Sequence, residues 1–194
     1  RKANKMRDRI IDIINESIHI KEDILHNHIE NIMKASKMII ACCKAKGKVL
    51  TFGNGGSAAD AQHIAAEFVG RFQKDRAPLA SIALTTNTSI LTALGNDYGY
   101  ETIFARQVEA LGNSGDIAIG ISTSGKARNV LLAMKKAKEM GIKTICLTGG
   151  SGGELPKFSD IAIIIPSSIT ARIQEAHITI GHIICELVES ELFK

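Results

Sequence analysis

His63 and Glu67 stand four residues apart in a stretch, Ser57 to Phe72, whose apolar residues recur at helical spacing. On a helix that spacing puts an imidazole and a carboxylate on one face, one turn apart, where they can share a ligand. Such a pair suits a divalent metal or acid–base chemistry, and equally a plain hydrogen-bonded contact at the surface. Ile64, Ala65, Ala66 and Phe68 mark the helix as mostly buried, which weighs against the plain contact. A second polar set lies near the C-terminus: Arg172, Gln174, Glu175, His177 and His182, among Ile173, Ile178, Ile180, Ile183 and Ile184. About 12 Å of helical rise and about 80° of rotation separate Gln174 from His182. These two converge on one atom only through long side chains, a bent helix or a neighbouring subunit. A histidine in an apolar helix, His177 included, is more often a satisfied core or interface group. His19, His26 and His28, with no paired ligand type nearby, read as surface residues.

Two turns have the composition of anion cradles, Gly53-Asn54-Gly55-Gly56-Ser57 and Ser122-Thr123-Ser124-Gly125. Glycines let the backbone approach a ligand, hydroxyls donate hydrogen bonds, and a following helix aims its first N–H groups at the same place. Either turn alone could be a tight turn with an N-cap; two of them, with three hydroxyls in one run, point to an anion. Neither has the glycine spacing of a dinucleotide or nucleoside-triphosphate loop, so nucleotide binding has no direct support.

The elements that must hold these residues follow from periodicity. Residues 4 to about 46 contain neither Pro nor Gly, and Ile10, Ile13, Ile14, Ile18, Leu25, Ile29, Ile32 and Met33 recur at helical spacing. That predicts two long amphipathic helices with a break near residues 19–23. After Gly47 come short apolar runs at Val49–Phe52, Ser81–Leu84, Ile117–Ile121, Thr144–Leu147 and Ile161–Ile165, alternating with helical segments. The helical segments are Ser57 to Phe72, Thr88 to Leu94, Glu101 to Leu111, Lys126 to Met140 and Thr170 to Leu192. Strands alternating with helices predict an α/β fold, a parallel sheet with helices on both faces. Both cradles then fall at carboxyl ends of strands, where open α/β sheets bind ligands.

Composition excludes several classes. The formal charge of +4 is uneven: residues 1–50 hold 11 basic and 6 acidic side chains, while the rest hold 13 and 14. Within the N-terminal quarter the two signs alternate, and the chain has two Tyr, six Phe and no Trp, so neither a basic patch nor a stacking platform for nucleic acid is present. No apolar run reaches the roughly 18–20 residues of a membrane span. The four cysteines, Cys42, Cys43, Cys146 and Cys185, form no metal or redox motif and read as reduced, buried apolar residues. With no secretory leader pattern, a cytoplasmic location is expected.

The strings GNGGSAADAQHIAAEFVGRF, ALTTNTSILTALGNDYG, ISTSG and ARIQEAHITIGHIICELVE, in that order, resemble the sugar-isomerase (SIS) domain family over about residues 48–193. The likeness is strongest to members that isomerise sedoheptulose 7-phosphate to D-glycero-D-manno-heptose 7-phosphate in bacterial heptose synthesis. The resemblance implies a three-layer αβα sandwich with a five-stranded parallel sheet, flavodoxin-like, over residues 47–194. A helical extension at residues 1–46 would pack in the oligomer. It also implies a homotetramer with active sites at subunit interfaces. Asn54, Gly55, Gly56 and Ser57 match the first substrate loop, Asn96 and Asp97 the second, and Ser122, Thr123 and Ser124 the phosphate loop. Glu67, Arg71 and Gln174 match further substrate contacts. Glu67 and His182 correspond to the acid–base pair, and His63, Glu67, Gln174 and His182 to the ligands of one Zn²⁺ per subunit.

Two positions depart from the family pattern. Lys126 and Ala127 stand where Asn-Ser is common, which removes a hydroxyl and introduces a cation, and Ala171 stands where some members have Asp. The competing reading within the family is a non-catalytic tetramer that binds a replication initiator or senses a sugar phosphate. Such an adaptor has no need of Glu67 and His182 together.

Overall fold

The computed structural model describes residues 2–193. Five parallel strands form one sheet: β1 (Val49–Gly53), β2 (Ser81–Ala83), β3 (Ile117–Ser122), β4 (Lys143–Gly149) and β5 (Ile161–Ile165). Their order is β2-β1-β3-β4-β5, with Val49 paired to Ser81 on one side and to Ile117 on the other. Every residue of β1 and β3 is buried, as expected of strands covered on both faces. The edge strands β2 and β5 are partly exposed.

Among the described residues there are seven α-helices, arranged in layers on the two sides of the sheet. One layer is built by α2 (Ile29–Lys44), α3 (Gly56–Val69) and α7 (Thr170–Leu192), whose Ile39, Ile64, Phe68 and Ile180 pack with Ile119 and Ile121. On the other face α5 (Ile103–Leu111) and α6 (Arg128–Glu139) bury Phe104, Val130 and Met134 against Leu50 and Phe52, with Leu91 and Leu94 of α4 (Thr88–Tyr98) at the margin. The architecture is the expected three-layer αβα sandwich. Each fully buried Ile, Leu or Phe in these layers contributes about 1.5–3 kcal/mol relative to exposure.

Strand order reverses at β1: the chain goes from β1 outward to β2, then returns across to β3. At such a switch point the loops leaving the two adjacent strands diverge to opposite faces and leave a crevice at their carboxyl ends. Both predicted cradles lie on these two loops.

Some elements differ from expectation. The break in the N-terminal helices falls at His28, between α1 (Lys2–Asn27) and α2, and not near residues 19–23. Lys21, Glu22 and Asp23 stay helical because no core contact requires a bend there. The chain turns only after Ile20 and Ile24 have reached the core that Ile32, Ala35 and Ile39 share. His28 consequently is no surface residue: its side chain is 12% exposed, with Nε2 3.2 Å from the Asp23 carboxylate. Helix α3 ends at Val69, three residues early, and α4 continues past Leu94 to Tyr98. All four cysteines are free, and three of them are buried. Among the described residues no helix is long and apolar enough to cross a membrane.

Candidate active site

The first cradle leads straight from β1 into α3. Gly56 is the first residue of that helix, and its opening turn is closed by Ser57 N on the Asn54 carbonyl and Ala58 N on the Gly55 carbonyl, both at 3.0 Å. A side chain at Gly56 would collide with the amide of Gln174, so glycine lets α7 lay that amide against the loop. The second cradle leaves β3, with Ser122 buried and Ser124 exposed at the mouth. Together Asn54, Gly55, Gly56, Ser57, Ser122, Thr123, Ser124 and Gln174 line a cavity of about 340 Å³. Lys126 stands outside it, at a neighbouring hydroxyl-lined cleft of about 230 Å³ that includes Ser151, Ser167 and Ser168.

A residue that sequence reasoning missed ties the first cradle to α6, the helix that follows the second. Asn129, buried on the first turn of α6, exchanges two side-chain amide hydrogen bonds of 2.9 Å with Asn54. Its carbonyl also accepts from Val130 N, and Tyr100 donates to Asn54 Oδ1 at 3.2 Å. An amide in the opening turn of a helix is usually read as a cap, which hides this longer-range role.

Two turns further along α3, His63 Nε2 lies 3.0 Å from Glu67 Oε1 and 3.3 Å from His182 Nε2 of α7. All three ligating atoms lie within 4.8 Å of one another. The rings of His63 and His182 meet edge to face at 4.8 Å, and Phe72 covers His182 at 5.6 Å. Close helix packing makes this possible. Gly181, next to His182, faces Ile64, next to His63; a Cβ there would stand 2.9 Å from Ile64 Cδ1 and Cγ1. Any larger residue at position 181 would hold the two helices, and so the two imidazoles, apart.

Two imidazole nitrogens and a carboxylate oxygen converging on one point are a donor set for a borderline divalent cation. Nitrogens bound to one tetrahedral Zn²⁺ at about 2.0–2.1 Å stand about 3.3 Å apart, the separation found between His63 and His182. The residues present therefore fit the metal. Asp60, one turn before His63, has Oδ2 buried without a partner, and burial raises its carboxyl despite the counteracting charge of His63.

The remaining predicted residues fall elsewhere. Gln174 lines the anion cavity, with its side-chain amide against Gly56. Asn96 and Asp97 are exposed on the last turn of α4, bonded to each other at 2.7 Å, and Arg71 is exposed just before Phe72. None of these three lines the cavity. Arg172 turns toward the N-terminal helix, donating to the Ile13 carbonyl at 2.9 Å and pairing with Glu175. His177 is fully buried with Nε2 3.0 Å from the Thr148 carbonyl, and burial pushes its pKa down to about 4. It is a neutral core group.

A switch-point crevice lined by glycines and hydroxyls defines a class, and residues 13–149, a match that spans the junction between α2 and β1, fit the SIS domain family. The phosphoheptose isomerase of Aquifex aeolicus is 55% identical over 184 residues, covering 95% of this chain and 96% of that protein. Phosphoheptose isomerase 2 of Campylobacter jejuni is 58% identical over 180 residues, covering 92% and 90%. The solved phosphoheptose isomerase of Neisseria gonorrhoeae superposes with a TM-score of 0.90 at 43% identity, covering 95% and 99%. The chain belongs to the phosphoheptose isomerase family.

Proposed function

We propose that this protein interconverts sedoheptulose 7-phosphate and D-glycero-D-manno-heptose 7-phosphate in the cytoplasm, for heptose biosynthesis. The observation that carries this reading is the meeting of Glu67 and His182, from two separate helices, around His63. The anion cavity opens on the same two helices and suits the phosphate. A sensor or adaptor would use the cavity but would gain nothing from that cluster.

Ketose-to-aldose conversion moves one proton from C1 to C2 and another from O1 to O2, through an enediol. Glu67 takes the proton from C1 as the electron pair moves into the C1–C2 bond and charge develops on the C2 oxygen. His182 delivers a proton to C2, and transfer of the O1 proton to O2 completes the aldehyde. The hydroxyls of Ser122, Thr123 and Ser124 hold the phosphate and fix the reacting carbons relative to the two groups. Zn²⁺ held by His63, Glu67, Gln174 and His182 would polarise the oxygens at C1 and C2, and the Glu67 carboxylate and the His182 nitrogen would be free to move protons only when not bound to it.

The active form we propose is a homotetramer. The solvent face of α1 carries Met6, Ile10, Ile14 and Ile18, between 48% and 70% exposed, in a continuous apolar stripe that a second copy would cover. Assembly would also bring Arg71, Asn96 and Asp97 to sites that one chain leaves incomplete, and would give Gln174 a route to the metal ligands.

The test is incubation of the purified protein with sedoheptulose 7-phosphate, with and without a chelator, following the aldoheptose 7-phosphate. Product formation is expected, reduced by the chelator. No product under any condition would replace this reading with that of the sugar-phosphate sensor.

A further inference from the structure

Between α3 and β2 the chain runs as a strap, and one carboxylate holds it. Glu189 of α7 accepts from the backbone N–H groups of Phe72 at 3.0 Å, Gln73 at 2.7 Å and Lys74 at 2.9 Å. It also accepts from Arg76 Nε at 2.9 Å. The Arg76 guanidinium then reaches back to the end of α3, donating to the Glu67 carbonyl at 2.8 Å and the Phe68 carbonyl at 2.7 Å. These are among the carbonyls that a helix C-terminus leaves without partners. Both side chains of the pair are only 3% exposed.

The pair thus joins the two helices that carry the site. Its carboxylate lies two turns beyond His182 on α7, and its guanidinium fastens the main chain of Glu67 on α3. The strap it pins presents Phe72, whose ring lies against His182. We propose that Arg76 and Glu189 are positioning residues for the isomerisation, setting the Glu67 main chain and the Phe72 ring so that Glu67 and His182 meet in reacting geometry. Burial alone would raise the Glu189 carboxyl, but the three N–H groups and the guanidinium outweigh it and hold the pKa at about 2. The carboxylate therefore stays charged across the working pH range.

This inference rests on the isomerase reading, and the experiment separates the two. Arg76→Lys keeps the charge but loses the planar fork that serves Glu189 and Glu67 at once. Wild type and variant are compared by steady-state kinetics on sedoheptulose 7-phosphate and by titration with Co²⁺, read from its visible absorption. The variant is expected to form the same oligomer with KM within about twofold, kcat lowered by about 10–100-fold, and Co²⁺ bound about tenfold more weakly. Glu189→Gln, which keeps an acceptor oxygen, is the second variant and should move both readings the same way. A folded variant with unchanged kcat and Co²⁺ affinity overturns the proposal. Failure of both variants to fold also overturns it, by making the pair a folding element only. Absence of turnover in the wild type is a failure of the isomerase reading, and the Co²⁺ comparison then decides the positioning role alone.

Discussion

The anion cavity and the His63–Glu67–His182 cluster occupy the same two helices, α3 and α7, yet they are held by different means. The cavity is mostly backbone and short hydroxyls from two loops at adjacent strand ends, and the sheet fixes those ends through ladder hydrogen bonds. The cluster is made of longer side chains whose helices meet across 119 residues of sequence. It depends on the glycine contact at position 181 and on the strap pinned by Glu189. A small helix shift leaves a backbone cradle nearly intact but separates side chains that must share one proton or one ion. Damage to the cavity should therefore appear in substrate affinity, and damage to the cluster in turnover.

The largest effect is expected at the cluster itself. Glu67→Gln and His182→Gln should each lower kcat by about 10²–10⁴-fold, the range for loss of a general acid or base, while sedimentation shows the oligomer unchanged. Near-normal turnover in either would remove the acid–base assignment. Next comes Gly181→Ala, whose methyl group meets Ile64 and should force α7 off α3. We expect kcat to fall by about 10²-fold through misplacement, with stability lowered by about 1–3 kcal/mol from overpacking. If KM rises and kcat stays, the helix contact serves the cavity instead.

Ser122→Ala tests the other side of the comparison. One hydrogen bond to a charged group is worth about 1.5–3 kcal/mol, so KM should rise about tenfold or more with little change in kcat. An equal loss in kcat would show that the two regions are not separable. The smallest effect on activity is expected at His177, on the same helix as His182 but inside the core. Its pKa is lowered to about 4 from an ordinary 6.5, so below pH 6.5 the unfolded chain takes up a proton that the folded one refuses. Stability should fall by about 1.4 kcal/mol per pH unit from pH 6.5 until the folded protein titrates near pH 4. Chemical denaturation at several pH values should show that slope reduced in His177→Gln, with kcat near that of the wild type.

Much of this was legible in the residues. The strand ends fall within one or two residues of expectation, because β-branched runs bounded by Gly, Ser or Thr have few other ways to fold. Both cradles could be recognised because their glycines and hydroxyls are contiguous. The i, i+4 spacing of His63 and Glu67 made them a pair before any tertiary contact was known. The break at His28 was not legible, since no Gly or Pro marks it and the bend is set by which isoleucines reach the shared core. Arg76 and Glu189, 113 residues apart, carry no local pattern either. A buried ion pair looks, in sequence, like any two surface charges.

The sequence by itself determined what lies within an element: the faces of the helices, the composition of the two loops and the donor types available for a metal. Backbone geometry repeats every few residues, so local spacing translates directly into local position. Only the tertiary structure decided that His182 meets His63, that the Gln174 amide lies against Gly56, and that the Arg76 side chain ends on the main chain of Glu67. Those outcomes depend on how closely α7 approaches α3, which a missing Cβ at Gly181 and the strand order of the sheet set together.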